Sequence, residues 1–165
     1  IQLESNLLEP IASLADIRID TTRLSLYELR DEVKLRVAHR KEQTLSIQFE
    51  SFGFKHGVPL DVDFVYDVRS LPNPHWIPEL RQYNGKEEPV INFLENEVEV
   101  GAMIIDIQGF LERWLPSFSR NNRSYITIGI GCTGGQHRSV YICEQLAAYF
   151  SQKMDNVHIR HRELN

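Results

Sequence analysis

Polar and apolar positions alternate from Thr44 to Glu50, with Leu45, Ile47 and Phe49 separated by Ser46, Gln48 and Glu50. A period of two predicts a strand. The pattern then breaks into Ser51-Phe52-Gly53-Phe54-Lys55-His56-Gly57, read as a glycine-marked loop with basic groups. Phe64, Val65, Tyr66 and Val68 predict a second strand closing at Asp67 and Arg69, and three prolines stiffen the loop over residues 70–78. Residues 87–96 and 98–115 have helical spacing, and Met103, Ile104, Ile107, Leu111, Trp114 and Leu115 are expected to form one buried stripe. Tyr125, Ile126, Ile128 and Ile130 predict a third strand, Arg138 to about Gln152 a helix, and Val157 to Arg162 a last strand. The fold class is therefore α/β, a sheet with flanking helices.

The first forty residues read differently. Residues 3–15 predict a helix interrupted at Pro10, and Asp16 to Asp20 a short strand. Ser25 and Glu28 form a capping box that opens a helix to about His39, with Leu26, Leu29, Val33 and Val37 at helical spacing. The polar run from His39 to Glu42 marks a boundary. Residues 1–42 are too few for a core of their own and are expected to be the end of a preceding α/β domain, with residues 43–165 forming the next. A start at Ile1 rather than Met fits a fragment.

Charge sharpens this division. The chain has 18 Lys/Arg against 23 Asp/Glu, a net −5 that argues against a general nucleic-acid binder. Residues 43–112 carry 4 against 12, a net −8, whereas residues 113–165 carry 7 against 3, a net +4. No apolar run approaches the ~18 to 20 residues a membrane span needs, and the first residues lack a basic start, so neither a span nor a secretory signal is expected. Cys132 and Cys143 have no metal-type spacing and make no disulfide framework, which points to a reducing, cytoplasmic setting.

The chemistry concentrates at a strand-to-helix junction. Gly131, Gly134 and Gly135 allow the backbone to turn successive N–H groups inward as an anion nest, and the following helix adds its positive end. Thr133 and Ser139 offer hydroxyls, and Arg138 a fork for a phosphate. The loops after the first two strands are expected to converge on the same crevice, bringing Lys55, His56, Asp67, Arg69, Asn73 and His75 to it. His137 can face the ligand or cap the helix. His158 and His161 are read as solvated surface, and Cys143 as core. Cys132, Gly135, Arg138 and Ser139 also fit the Cys-x-x-Gly-x-x-Arg-Ser signature of cysteine phosphatases, in which a thiolate attacks phosphorus and Asp67 or His75 serves as general acid. The departure is Gly131, where those enzymes have a histidine that helps ionise the cysteine.

The strings FESFGFKHG (49–57), VYDVRSLPNPHW (65–76), NNRSYITIGIG (121–131) and GCTGGQHRSVY (131–141) together resemble the RapZ family of RNase adapter and YvcJ-like nucleotide-binding proteins. The resemblance implies that residues 1–42 end a P-loop ATPase domain. No Gly-x-x-x-x-Gly-Lys-Ser/Thr motif occurs here, so no cofactor is expected in this fragment, ATP or GTP belonging to the absent part. It also implies a C-terminal domain that senses glucosamine-6-phosphate, binds small regulatory RNA and presents it to RNase E, as a homo-oligomeric adaptor without chemistry of its own. The implied sugar-phosphate site is Asp67, Arg69, Asn73 and His75 with Cys132, Thr133, Gly134, Gly135, Gln136, His137 and Arg138. The basic face offered to RNA would be Arg120, Arg123, Lys153, Arg160 and Arg162, although the family's Lys/Arg-rich tail has no counterpart before Asn165.

Overall fold

The computed structural model describes residues 19, 21–22, 24–37, 45–121 and 123–164. The chain divides into two compact units, Ile1–Gln43 and Thr44–Asn165. In the first, helix α1 spans Leu26–Val37. Its capping box is formed: Glu28 accepts from the Ser25 N–H at 2.7 Å, and the Ser25 hydroxyl accepts from the Glu28 N–H at 3.3 Å. The helix expected at residues 3–15 and, apart from Ile19, the strand at 16–20 lie outside the described residues.

The second unit is a four-stranded parallel sheet with helices against it. Its strands are β1 (Ser46–Gly53), β2 (Phe64–Asp67), β3 (Tyr125–Cys132) and β4 (Val157–His161), in the order β2-β3-β1-β4. Helices α2 (Glu88–Glu95) and α3 (Val98–Arg120) lie between β2 and β3, and α4 (Arg138–Ser151) lies between β3 and β4. Because side chains alternate across a sheet, the register puts Ile47, Phe49, Phe64, Tyr66, Ile126, Ile128 and Ile130 on one face. The helices cover that face: Phe150 of α4 meets Phe49, and Phe110 and Phe118 of α3 meet Phe64.

Strand ends and the α3 stripe differ from the sequence reading. β1 continues through Ser51 and Phe52 to Gly53, which pairs with Cys132 of β3, so the loop expected from Ser51 starts only at Phe54. Within α3, Val100, Ile107, Leu111 and Leu115 are buried and Met103 and Ile104 border the core, but Trp114 is 46% exposed. Trp114 is one residue, or ~100° of helix, off the Ile107–Leu111–Leu115 row. The helix also runs past Pro116 to Arg120, because the Phe118–Phe64 contact holds its last turn to the sheet.

The connection from β1 runs to β2 on one side, while α4 carries the chain from β3 past β1 to β4 on the other. Adjacent strands whose connections leave in opposite directions open a crevice at their carboxyl ends. The glycine loop stands there.

Candidate anion-binding site

Residues 133–137 join β3 to α4. Gly135 has φ +74°, a left-handed conformation that L side chains rarely adopt. Two neighbours hold the loop closely. The Lys55 N–H donates to the Thr133 carbonyl at 3.2 Å, and the Gly85 N–H to the Gln136 carbonyl at 2.8 Å. A Cβ on Gly85 would sit 2.2 Å from the His137 carbonyl oxygen, so the 83–87 segment approaches as only glycine permits. That second support has no sequence signal beyond Gly85 itself.

Arg138 is 3% exposed and reaches across the crevice. Its Nη1 donates to the carbonyls of Arg69 and Leu71, both at 2.8 Å, and its Nη2 to the Thr133 hydroxyl at 3.3 Å. The guanidinium thus ties the glycine loop to the loop after β2. Burial lowers its pKa, while the neighbouring Cys132 and Asp67 oppose that shift. His137 is also buried. Burial lowers its pKa, and a bond to the Tyr83 backbone works against this. Among the described residues, Arg138 Nε and His137 Nε2 are buried nitrogens without a hydrogen-bond partner.

Cys132 is buried at the end of β3. Its Sγ accepts the Gly135 N–H at 3.2 Å and lies 3.1 Å from the Ser139 hydroxyl. Gly131 precedes it under steric constraint, since a Cβ would stand 2.5 Å from both Phe52 Cζ and Phe54 Cε2. The two rings occupy the space a histidine would need.

Across the crevice, Asp67 and Arg69 form a bidentate pair with Nη2–Oδ2 at 2.6 Å, and the Arg69 guanidinium stacks 3.9 Å from the Phe54 ring centre. The Arg69 side chain holds the Asp67 carboxyl below its usual range. Asn73 caps the short turn Pro74–Trp76 by accepting the His75 N–H at 3.3 Å. The His75 ring is 6.1 Å from that of His137. Lys55 Nζ approaches Gly134, 3.9 Å from the position its Cβ would take. His56 ends the turn Phe54–His56 and is exposed. Gln136 is exposed and bonds the Glu163 carbonyl at 3.5 Å.

The basic residues proposed for RNA fall into two groups. Arg120, Arg123 and Lys153 stand at the amino-terminal edge of the sheet, where Arg120 bonds Ser117, Arg123 pairs with Asp63 at 2.8 Å, and Lys153 pairs with Glu112. Arg160 and Arg162, on and after β4, reach Glu50 at 3.4 and 3.1 Å. Glu50 is wholly buried in β1, although alternation alone reads it as a polar surface position. The terminal histidines also divide. His158 is exposed, but His161 is not solvated surface: Ser51 Oγ lies 2.8 Å from its Nδ1 and Glu144 Oε1 3.1 Å from its Nε2. The register explains this, since His161 pairs with Ser51 and shares the helix-covered face. Cys143 is buried in the core, as expected.

Among the described residues, no group of His, Cys, Asp and Glu could hold a metal ion, and no helix is long and apolar enough to cross a membrane. Residues 45–165 match the family described as the RapZ C-terminal domain. A protein of Marinobacter nauticus is 60% identical over 98% of this chain and 55% of its own length. Relatives from Hahella chejuensis and Aeromonas salmonicida are 57% and 56% identical over 99% and 100% of this chain, each with 57% of its own length covered. All three are named nucleotide-binding proteins. The chain therefore spans little more than half the length of these curated relatives.

Proposed function

The chain belongs to the RapZ family, and from that premise we propose that its 44–165 unit is a sugar-phosphate sensor acting in an RNA-binding adaptor. Its ligand is glucosamine-6-phosphate, and its output is the presentation of a small regulatory RNA to RNase E by a cytoplasmic homo-oligomer. One observation carries the ligand reading: the glycine loop stands beside a buried donor nitrogen, Arg138 Nε, that has no hydrogen-bond partner among the described residues. Buried polar groups are ordinarily paired, and a phosphate oxygen supplies the acceptor that this guanidinium N–H lacks. Asp67 supplies an anion for the sugar's ammonium, and Asn73 and His75 suit its hydroxyls. The nucleotide in the relatives' names would bind outside this chain, in which no Walker-type motif occurs.

Calorimetry tests this with glucosamine-6-phosphate, glucose-6-phosphate and ATP. The amino sugar should bind tighter than glucose-6-phosphate by about 1 to 3 kcal/mol, and ATP should not bind. Equal affinity for the two sugars would remove Asp67 from its role, and absence of sugar-phosphate binding would refute the reading.

A second reading, a cysteine-dependent phosphatase, is favoured by the Gly135 N–H and Ser139 hydroxyl around Cys132 Sγ, the type of contact that steadies a thiolate. Against it stand the burial of Cys132 and the rings that exclude a histidine at position 131. Aryl phosphate should not be turned over, whereas Cys132→Ser should still bind the sugar. Turnover that disappears in Cys132→Ser would establish the enzyme instead.

A further inference from the structure

A carboxylate beside an anion cradle repels the anion unless a cation accompanies it. At Asp67 that cation is Arg69, whose Nε lies 2.9 and 3.0 Å from the two carboxylate oxygens and whose Nη2 lies 2.6 Å from Oδ2. Both side chains stand nearly half in solvent, at 49% and 45% exposure. The carboxylate is also anchored without the guanidinium, because the Arg69 backbone N–H donates to Oδ1 at 3.0 Å. Arg138, bonded to the Arg69 carbonyl at 2.8 Å, fixes that backbone in turn. The guanidinium can therefore leave while Asp67 stays in place, and it already rests 3.9 Å from the Phe54 ring centre.

We propose that the Arg69 guanidinium is a built-in stand-in for the ligand's ammonium group, which displaces it from Asp67, so that this competition sets the concentration at which the site responds. The inference rests on the amino-sugar phosphate reading given above. An ammonium replaces one cation by another at Asp67. Glucose-6-phosphate, whose ring carries no cation, offers Asp67 only a hydroxyl and leaves the Asp67–Arg69 pair intact. With both side chains nearly half in solvent, water and salt screen this pair, and a ligand cation can displace the guanidinium.

The test is calorimetry on the whole chain, comparing wild type, Arg69→Ala and Arg69→Gln with both sugar phosphates. Each variant should bind glucosamine-6-phosphate about two- to fivefold more tightly. Glucose-6-phosphate should bind Arg69→Ala more weakly than wild type, because its phosphate then meets an uncompensated carboxylate. Both variants remove an exposed side chain only, and their unliganded melting temperatures should match wild type. Weaker binding of both sugars would show that Arg69 grips the phosphate, and unchanged binding would show that the pair plays no part. Either result overturns the inference while leaving the sensor reading intact. Wild-type protein that binds neither sugar would overturn both.

Discussion

Arg138→Ala removes a guanidinium that is 3% exposed and satisfies the carbonyls of Arg69 and Leu71. The Leu71 carbonyl is in the buried part of that contact, and the Arg69 carbonyl is partly open to water. An unsatisfied buried acceptor costs about 1–3 kcal/mol, and one that water can reach costs less. With the lost packing of the arginine stem, the unliganded protein should lose about 2–4 kcal/mol, or roughly 10 °C in melting temperature for a unit of this size. Arg138→Lys keeps the charge and can satisfy one carbonyl, so it should fall between. The assay is thermal unfolding of all three proteins with and without glucosamine-6-phosphate. A ligand that binds only the folded state raises the melting temperature by mass action, and Arg138→Ala should abolish that rise as well as lower the baseline. A variant as stable as wild type would show that the two carbonyls do not depend on Arg138. A lowered baseline with the ligand shift intact would show that Arg138 is structural and that the anion is held elsewhere.

Gly131→Ala should destabilise the protein by about 1–3 kcal/mol, because its Cβ must displace the Phe52 or Phe54 ring; chemical denaturation reads this, and an unchanged midpoint would refute the close packing. His137, with its pKa lowered by burial, makes the unfolded state the better proton acceptor. Stability should therefore be full above the ordinary histidine value of about 6.5 and fall below it, toward the lower folded value. The decline should flatten in His137→Gln, and a slope that persists there belongs to other groups. RNA binding, titrated on filters at two salt concentrations, should be weak, with a log–log slope of about −0.7 to −0.9 per phosphate neutralised. It should fall in Arg120→Ala and Arg123→Ala and with saturating sugar phosphate, and indifference to salt and to Arg123 would misplace the RNA face.

The strands of the second unit are legible because their alternation is dictated by one buried face, and the loop is legible because glycines cluster where a backbone must turn inward. What sequence cannot carry is partnership across the sheet. Nothing in Arg138 or its neighbours announces that its fork will close on two carbonyls 67 and 69 residues away. Glu50 reads as solvent-facing by alternation, and only the placing of β4 beside β1 shows that Arg160 and Arg162 cover it. His161 reads as solvated surface for the same reason, and only its pairing with Ser51 turns it to the helix-covered face. The phosphatase signature is legible too, yet deciding against it needs Phe52 and Phe54, whose rings reach Gly131 only through the fold.

The same topology limits how metabolite and RNA can influence each other. Arg123 precedes β3 and Arg138 follows it, so eight residues of strand, about 25 Å, separate them. A sugar phosphate at the loop cannot touch Arg120, Arg123 or Lys153, and direct competition for those side chains is ruled out. Arg160 and Arg162 are placed differently. They flank His161 at the carboxyl end of β4, and the next residue, Glu163, packs against the loop, its Oε2 2.4 Å from the position a Cβ on Gly135 would take. Any reciprocal effect of sugar phosphate on RNA affinity must therefore pass through the 160–163 segment, or through a change in how copies of the protein assemble. A Glu163→Ala variant that keeps its RNA affinity but loses its response to the sugar would identify that segment as the link, whereas a full response in the same variant would leave assembly as the route.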